Sequence, residues 1–186
     1  MPGITGWSSF YGIVGASAGA LIGLQFVVMT LVTQKTIPTV EEDAGAAFTT
    51  PTIVHFSSAL LLSAAMSAPW PEVKALAIFI GAFGLIGVIY GILTIKRMRT
   101  QTMYVPEFVD WLWHAILPVS AYLTLLLGAA GLSFGLPEID FAIAGVALLL
   151  LFIGIHNAWD TVTYHVFVKS TESQHSEHQD KSSGEQ

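Results

Sequence analysis

Apolar residues come in long, nearly uninterrupted runs along this chain, without the polar–apolar alternation of a half-buried strand. Five runs stand out, at about 7–33, 51–69, 73–95, 107–131 and 140–166, the second being the shortest. A hydrocarbon core of about 30 Å is crossed by about 20 residues of helix. Backbone polar groups in lipid find no water, so a crossing segment must bond within itself, and the runs predict helices. The pattern therefore predicts an all-α, polytopic membrane protein: a five-helix transmembrane bundle over residues 1–169. Residues 170–186, STESQHSEHQDKSSGEQ, are polar throughout and predict a disordered cytoplasmic tail.

The breaks between runs carry turn chemistry. SAPWPE, with prolines on both sides of Trp70, predicts a tight interfacial turn between the second and third spans, and SFGLPEID joins the fourth and fifth. Pro118 lies inside the fourth run, where its ring and missing N–H predict a kink and a released carbonyl at His114. Gly15, Gly19 and Gly23, with Gly12 and Ala16 nearby, mark a small-residue face on the first span, and Gly81, Gly84, Gly87 and Gly91 mark one on the third. Such faces let backbones approach closely. They are expected to pack within the monomer, with a homo-oligomer or a larger membrane complex as the alternative.

Charge orients the bundle. Six of the seven basic residues (Lys35, Lys96, Arg97, Arg99, Lys169 and Lys181) fall at one end of the predicted spans, and only Lys74 falls at the other. Basic loops stay inside, so the N-terminus is expected outside and the C-terminus in the cytoplasm, in a cell (plasma) membrane. The N-terminal MPGITGW has no basic stretch of the kind that opens a cleavable signal, so the first run is expected to be kept as a span.

Composition narrows the chemistry. Only 11% of residues are charged and 53% are hydrophobic, against about 25% charged in soluble domains. The partner this implies is the lipid bilayer. With no basic patch interleaved with aromatics, nucleic acid is not an expected partner. With no cysteine, disulfides, iron–sulfur clusters and thiolate metal sites are excluded.

Against this apolar background the polar residues gather at one depth. Counting about 1.5 Å of rise per residue from the basic end places Gln25, His55, Tyr90, Asp110, His114, His156, Asn157 and Asp160 in one half of the membrane, with Glu107 and Tyr164 at the rim. The other half offers mainly hydroxyls such as Ser9, Tyr11, Ser63 and Ser67. His156, Asp160 and Tyr164 share one helical stripe, and Glu107, Asp110, His114 and Pro118 share another, which Tyr122 roughly continues. Ionisable groups at such depth are expected to face the bundle interior. In particular, His156 is expected within side-chain reach of His114 or Asp110. Trp111, Trp113, Trp159 and Tyr104 are expected in the interfacial aromatic belts, and His165 at an ordinary helix end.

Four uses of the cluster stay open. In the first, His55, His114 and His156 bind a metal ion such as zinc or iron. Asp110, Asp160 and Glu107 then supply carboxylate chemistry, Gln25, Tyr90, Asn157 and Tyr164 support them, and the substrate is a lipid-like or small apolar molecule. In the second, the polar network only sets helix register, as in an accessory subunit of a membrane complex. In the third, two of the same three histidines hold a b-type haem. In the fourth, the chain of ionisable groups relays protons or ions.

Overall fold

The computed structural model describes residues 6–35, 42–100, 107–136 and 138–163, and among them the side chains outside 32–35 and 42–50. The described residues are helical apart from short turns, and five helices follow one another: α1 (Ser8–Lys35), α2 (Glu42–Ser67), α3 (Val73–Thr100), α4 (Phe108–Ser133) and α5 (Ile139–Thr163). Four of them carry apolar stretches of 24–28 residues, long enough to cross a membrane; in α2 the apolar part, Pro51–Ser67, has 17. The chain is a multi-pass membrane protein of the helical-bundle class, with a lipid bilayer as its surroundings. The expected tail, Tyr104, Tyr164 and His165 lie outside the described residues.

Two helices outrun the spans that hydrophobicity marked. Helix α2 begins at Glu42 and passes straight through Pro51. Proline gives up one backbone hydrogen bond and crowds the carbonyl one turn back, a local cost, and the preceding Ala44, Ala46 and Ala47 are strong helix formers. Helix α3 runs on through Lys96, Arg97 and Arg99 to Thr100. Basic side chains in a last turn suit the partial negative charge there. This end of the molecule is called the basic end below.

Helix α4 widens near its start: Leu112–Ile116 is π-helical, and the Leu117 N–H bonds to the carbonyl of Leu112, five residues back. The wide turn ends at Ile116, two residues before Pro118. A widened turn takes the proline ring off the carbonyl it would otherwise strike, so Pro118 inserts an extra residue where a simple kink is predicted. At the far end of α4 the chain reverses through Gly135, whose φ of 68° is the left-handed value. Gly135 N–H bonds to the Leu132 carbonyl at 3.1 Å and Leu136 N–H to that of Gly131 at 3.0 Å, a Schellman close.

Packing is uneven. Helix α3 lies closely against α4, α1 against α2, and α5 against both α2 and α4, whereas α2 and α3 scarcely touch despite their short connection. The order across the bundle is thus α1, α2, α5, α4, α3. The third-span glycines explain the α3–α4 seam. A Cβ on Gly84 would stand 2.7 Å from the Leu126 nitrogen, one on Gly91 2.5 Å from Val119 Cγ2, and one on Gly87 would overlap the Tyr122 ring. On α1 the expectation of packing within the monomer is met only by Gly15, where a Cβ would lie 3.1 Å from Ser63 Cβ; Gly12, Gly19 and Gly23 face open space. The buried core is formed by Phe56, Leu62, Leu76, Ile80, Leu125 and Leu150.

Candidate functional site

Where α2 and α3 splay apart, a lateral groove of about 310 Å³ opens between them, with α4 behind it. Its walls are mostly apolar: Ile53, Val54 and Leu61 on α2, Phe83 and Ile86 on α3. Its polar surface comes from Ser57 and Ser58 of α2, Tyr90 of α3 and Tyr122 of α4.

At the floor lies a buried hydrogen-bonded chain. Tyr122 Oη is 2.8 Å from Ser58 Oγ and 3.4 Å from His55 Nδ1. Tyr122 and His55 are each 1% exposed, and Ser58 6%. Local sequence sets this up. His55 and Ser58 are three apart on α2 and so share a face, and Gly87 clears the space that the Tyr122 ring occupies. The rings pack around the chain: Phe83 meets Tyr122 edge-on at 6.0 Å, and Tyr90 meets His55 edge-on at 6.4 Å.

A second group sits at the basic end, between α4 and α5. His156 Nδ1 donates to Asp160 Oδ2 at 3.0 Å on its own helix. The His156 ring packs edge-on against Trp113, centroids 3.9 Å apart. His114 Nδ1 is 3.2 Å from the Asp110 carbonyl. A carbonyl only accepts, so that nitrogen carries the proton in this bond. Asp110 Oδ2 accepts from the Glu107 backbone N–H at 2.9 Å and so caps the start of α4. His114 is in electrostatic range of Asp110, Asp160 and His156.

A third polar group comprises Gln25 on α1 and Asn157 on α5, at the level of Ile53 on α2. Gly15 faces Ser63 and Gly154 faces Phe56. Counting inward from these contacts along oppositely running spans brings Gln25, Ile53 and Asn157 to one level. Gln25 Nε2 and both side-chain heteroatoms of Asn157 are buried with no hydrogen-bond partner among the described residues. Each such group costs about 1–3 kcal/mol relative to a satisfied one.

The residues expected in a single cluster make their direct contacts in three groups, with His114 in electrostatic range of both His55 and His156. His156 does face α4, as its stripe predicts, but the side chain it packs against is Trp113. His55 belongs to the groove floor, bonded to Tyr122. Asp110 caps a helix, Glu107 is exposed at that cap, and Asp160 is 47% exposed. Among the described residues no three His, Asp or Glu side chains gather as a metal-holding group, so the ligand set expected of His55, His114 and His156 is not assembled. Of the expected belt residues, Trp113 packs on His156, and Trp111 has Arg99 over its ring at 5.8 Å. Trp159 is exposed, as a belt residue should be.

Sequence reasoning passed over Ser58 and gave Tyr122 no role beyond its stripe. Serine and tyrosine read as ordinary residues in a membrane helix, and only the folded bundle brings these two side chains together from α2 and α4. Compared with known proteins, the chain matches no family, no curated protein and no solved structure.

Proposed function

We propose that this protein binds one lipid-like molecule in the lateral groove between α2 and α3, as a multi-pass protein of the plasma membrane with its basic end in the cytoplasm. The observation that carries the reading is the groove itself. Two spans adjacent in sequence stand apart, and the gap is backed by Ser58 and Tyr122, two members of a buried hydrogen-bonded chain that ends at His55. A few fixed polar groups in an apolar concavity are the usual makeup of a small-molecule site. The orientation rests on the excess of basic residues at one end.

Native mass spectrometry of the protein, extracted in mild detergent, tests this. One lipid adduct per chain is expected, lost in Leu61→Trp, which fills the groove from an exposed position. An adduct distribution unchanged by Leu61→Trp would contradict the reading.

A second reading, an accessory subunit or homo-oligomer, has its own support on α1. Gly12, Gly19 and Gly23 meet nothing within 4 Å and offer a close-packing face to another helix.

A further inference from the structure

Apolar walls fit the groove to an acyl chain of any lipid, and the feature that selects among lipids stands beyond the groove, toward the basic end. On α3 the lining residues Phe83, Ile86, Gly87 and Tyr90 are spaced three or four apart and form one stripe. Arg97, seven residues on from Tyr90, continues that stripe about 10 Å further along the helix. We infer that the groove's occupant is an anionic phospholipid, with one acyl chain between α2 and α3 and its phosphate at Arg97; this rests on the groove-binding function proposed above.

The three cations of the KRMR segment are not equivalent. Each residue turns the helix by about 100°, so Lys96 and Arg99 leave the groove stripe, and Arg99 lies over the Trp111 ring of α4 at 5.8 Å. Arg97 alone keeps the groove face. It is exposed, and among the described side chains it forms no ion pair. A helical side chain leans toward the helix N-terminus and covers the turn before its own Cα. For Arg97 that is the turn toward Tyr90, and the two side chains are in electrostatic range of one another. Topology explains why cations gather at this end of the bundle. It does not ask that one of them stand in line with the groove.

Depth and chemistry agree with this placement. The apolar run of α3 ends at Ile95, so Arg97 stands where hydrocarbon gives way to headgroups. A guanidinium offers a planar fork of donors that matches a phosphate, and its charge favours a head with a net negative charge over one that carries its own cation. Size agrees as well: 310 Å³ is roughly ten water volumes of about 30 Å³, which suits a stretch of one acyl chain, not two.

The test is titration of the full chain in a nonionic detergent with two lipids of identical chains, dioleoylphosphatidylglycerol and dioleoylphosphatidylcholine. The inference predicts saturable one-to-one binding of the first, about fivefold tighter than the second, the worth of one cation beside an anionic lipid. Arg97→Gln should erase that preference, Arg97→Lys should keep most of it, and Lys96→Gln, off the stripe, should leave it unchanged. Leu61→Trp should abolish binding of both lipids. If Leu61→Trp does so but the two lipids bind alike, or the preference survives Arg97→Gln or is lost equally in Lys96→Gln, the headgroup inference falls while the groove function stands. If neither lipid binds saturably, or Leu61→Trp changes neither, both fall.

Discussion

Tyr122 Oη on α4 and Ser58 Oγ on α2 lie 2.8 Å apart, though 64 positions separate them along the chain. This bond, together with the 3.4 Å contact to His55, ties the groove floor to the helix behind it. The Tyr122 ring itself is held by the glycine notch at Gly87. Removing the hydroxyl alone should therefore leave packing intact and orphan its two partners. Tyr122→Phe is expected to destabilise the protein by about 1–3 kcal/mol, the penalty for a buried polar group left unpaired. Thermal unfolding in one detergent, followed by circular dichroism, reads this directly. An unchanged midpoint would mean that the network contributes nothing to the fold.

The glycines divide into two classes with opposite expected outcomes. Gly87→Ala forces a methyl into the Tyr122 ring and should destabilise by about 1–3 kcal/mol, as overpacking does. Gly19→Ala adds a methyl in open space and should be neutral, or stabilising by up to about 1 kcal/mol through helix propensity. The same unfolding assay separates them. Destabilisation of the oligomer by Gly19→Ala, with the monomer unchanged, would place another helix on α1.

At the basic end, the His156–Asp160 pair is predicted to matter less than the ring against it. The pair spans one helical turn and its carboxylate is 47% exposed, so Asp160→Asn should cost no more than about 0.5 kcal/mol. Trp113→Ala removes the 3.9 Å ring contact and should cost more. Should Asp160→Asn prove the more damaging change, the carboxylate has a role that helix pairing does not explain.

Orientation is testable because the chain has no cysteine. Single cysteines at Lys96 and Glu72, both exposed, mark the basic end and the α2–α3 turn. In intact cells a membrane-impermeant maleimide should label Glu72→Cys and spare Lys96→Cys. The reverse pattern would invert the topology.

The fold was largely legible because membrane helices announce themselves. Long apolar runs, Pro–Trp–Pro at one turn and Gly–Leu–Pro at another mark the spans without knowledge of tertiary contacts. Hydrophobicity marks apolar stretches and not helix ends, and α2 and α3 continue past theirs wherever Ala44–Ala47 or the KRMR segment permits. The site was legible only in part. Depth counting correctly put His55 and Tyr90 in one half of the bundle and turned His156 toward α4. It could not say which helices are neighbours. His55 and His156 sit on α2 and α5, which do pack together, yet His55 turns to Tyr122 and His156 to Trp113. The π-helical turn before Pro118 was equally invisible, because one proline is compatible with either a kink or an inserted residue.

The central claim is that the gap between α2 and α3 is a lipid-like ligand's seat and not merely lipid-facing surface. Photolabelling with a diazirine-bearing lipid, followed by peptide mapping, tests it most directly. The account predicts saturable labelling concentrated on Val54–Leu61 and Phe83–Tyr90, lost in Leu61→Trp. Labelling spread evenly over exposed positions such as Ile13, Leu24, Phe141 and Phe152, and indifferent to Leu61→Trp, would contradict it.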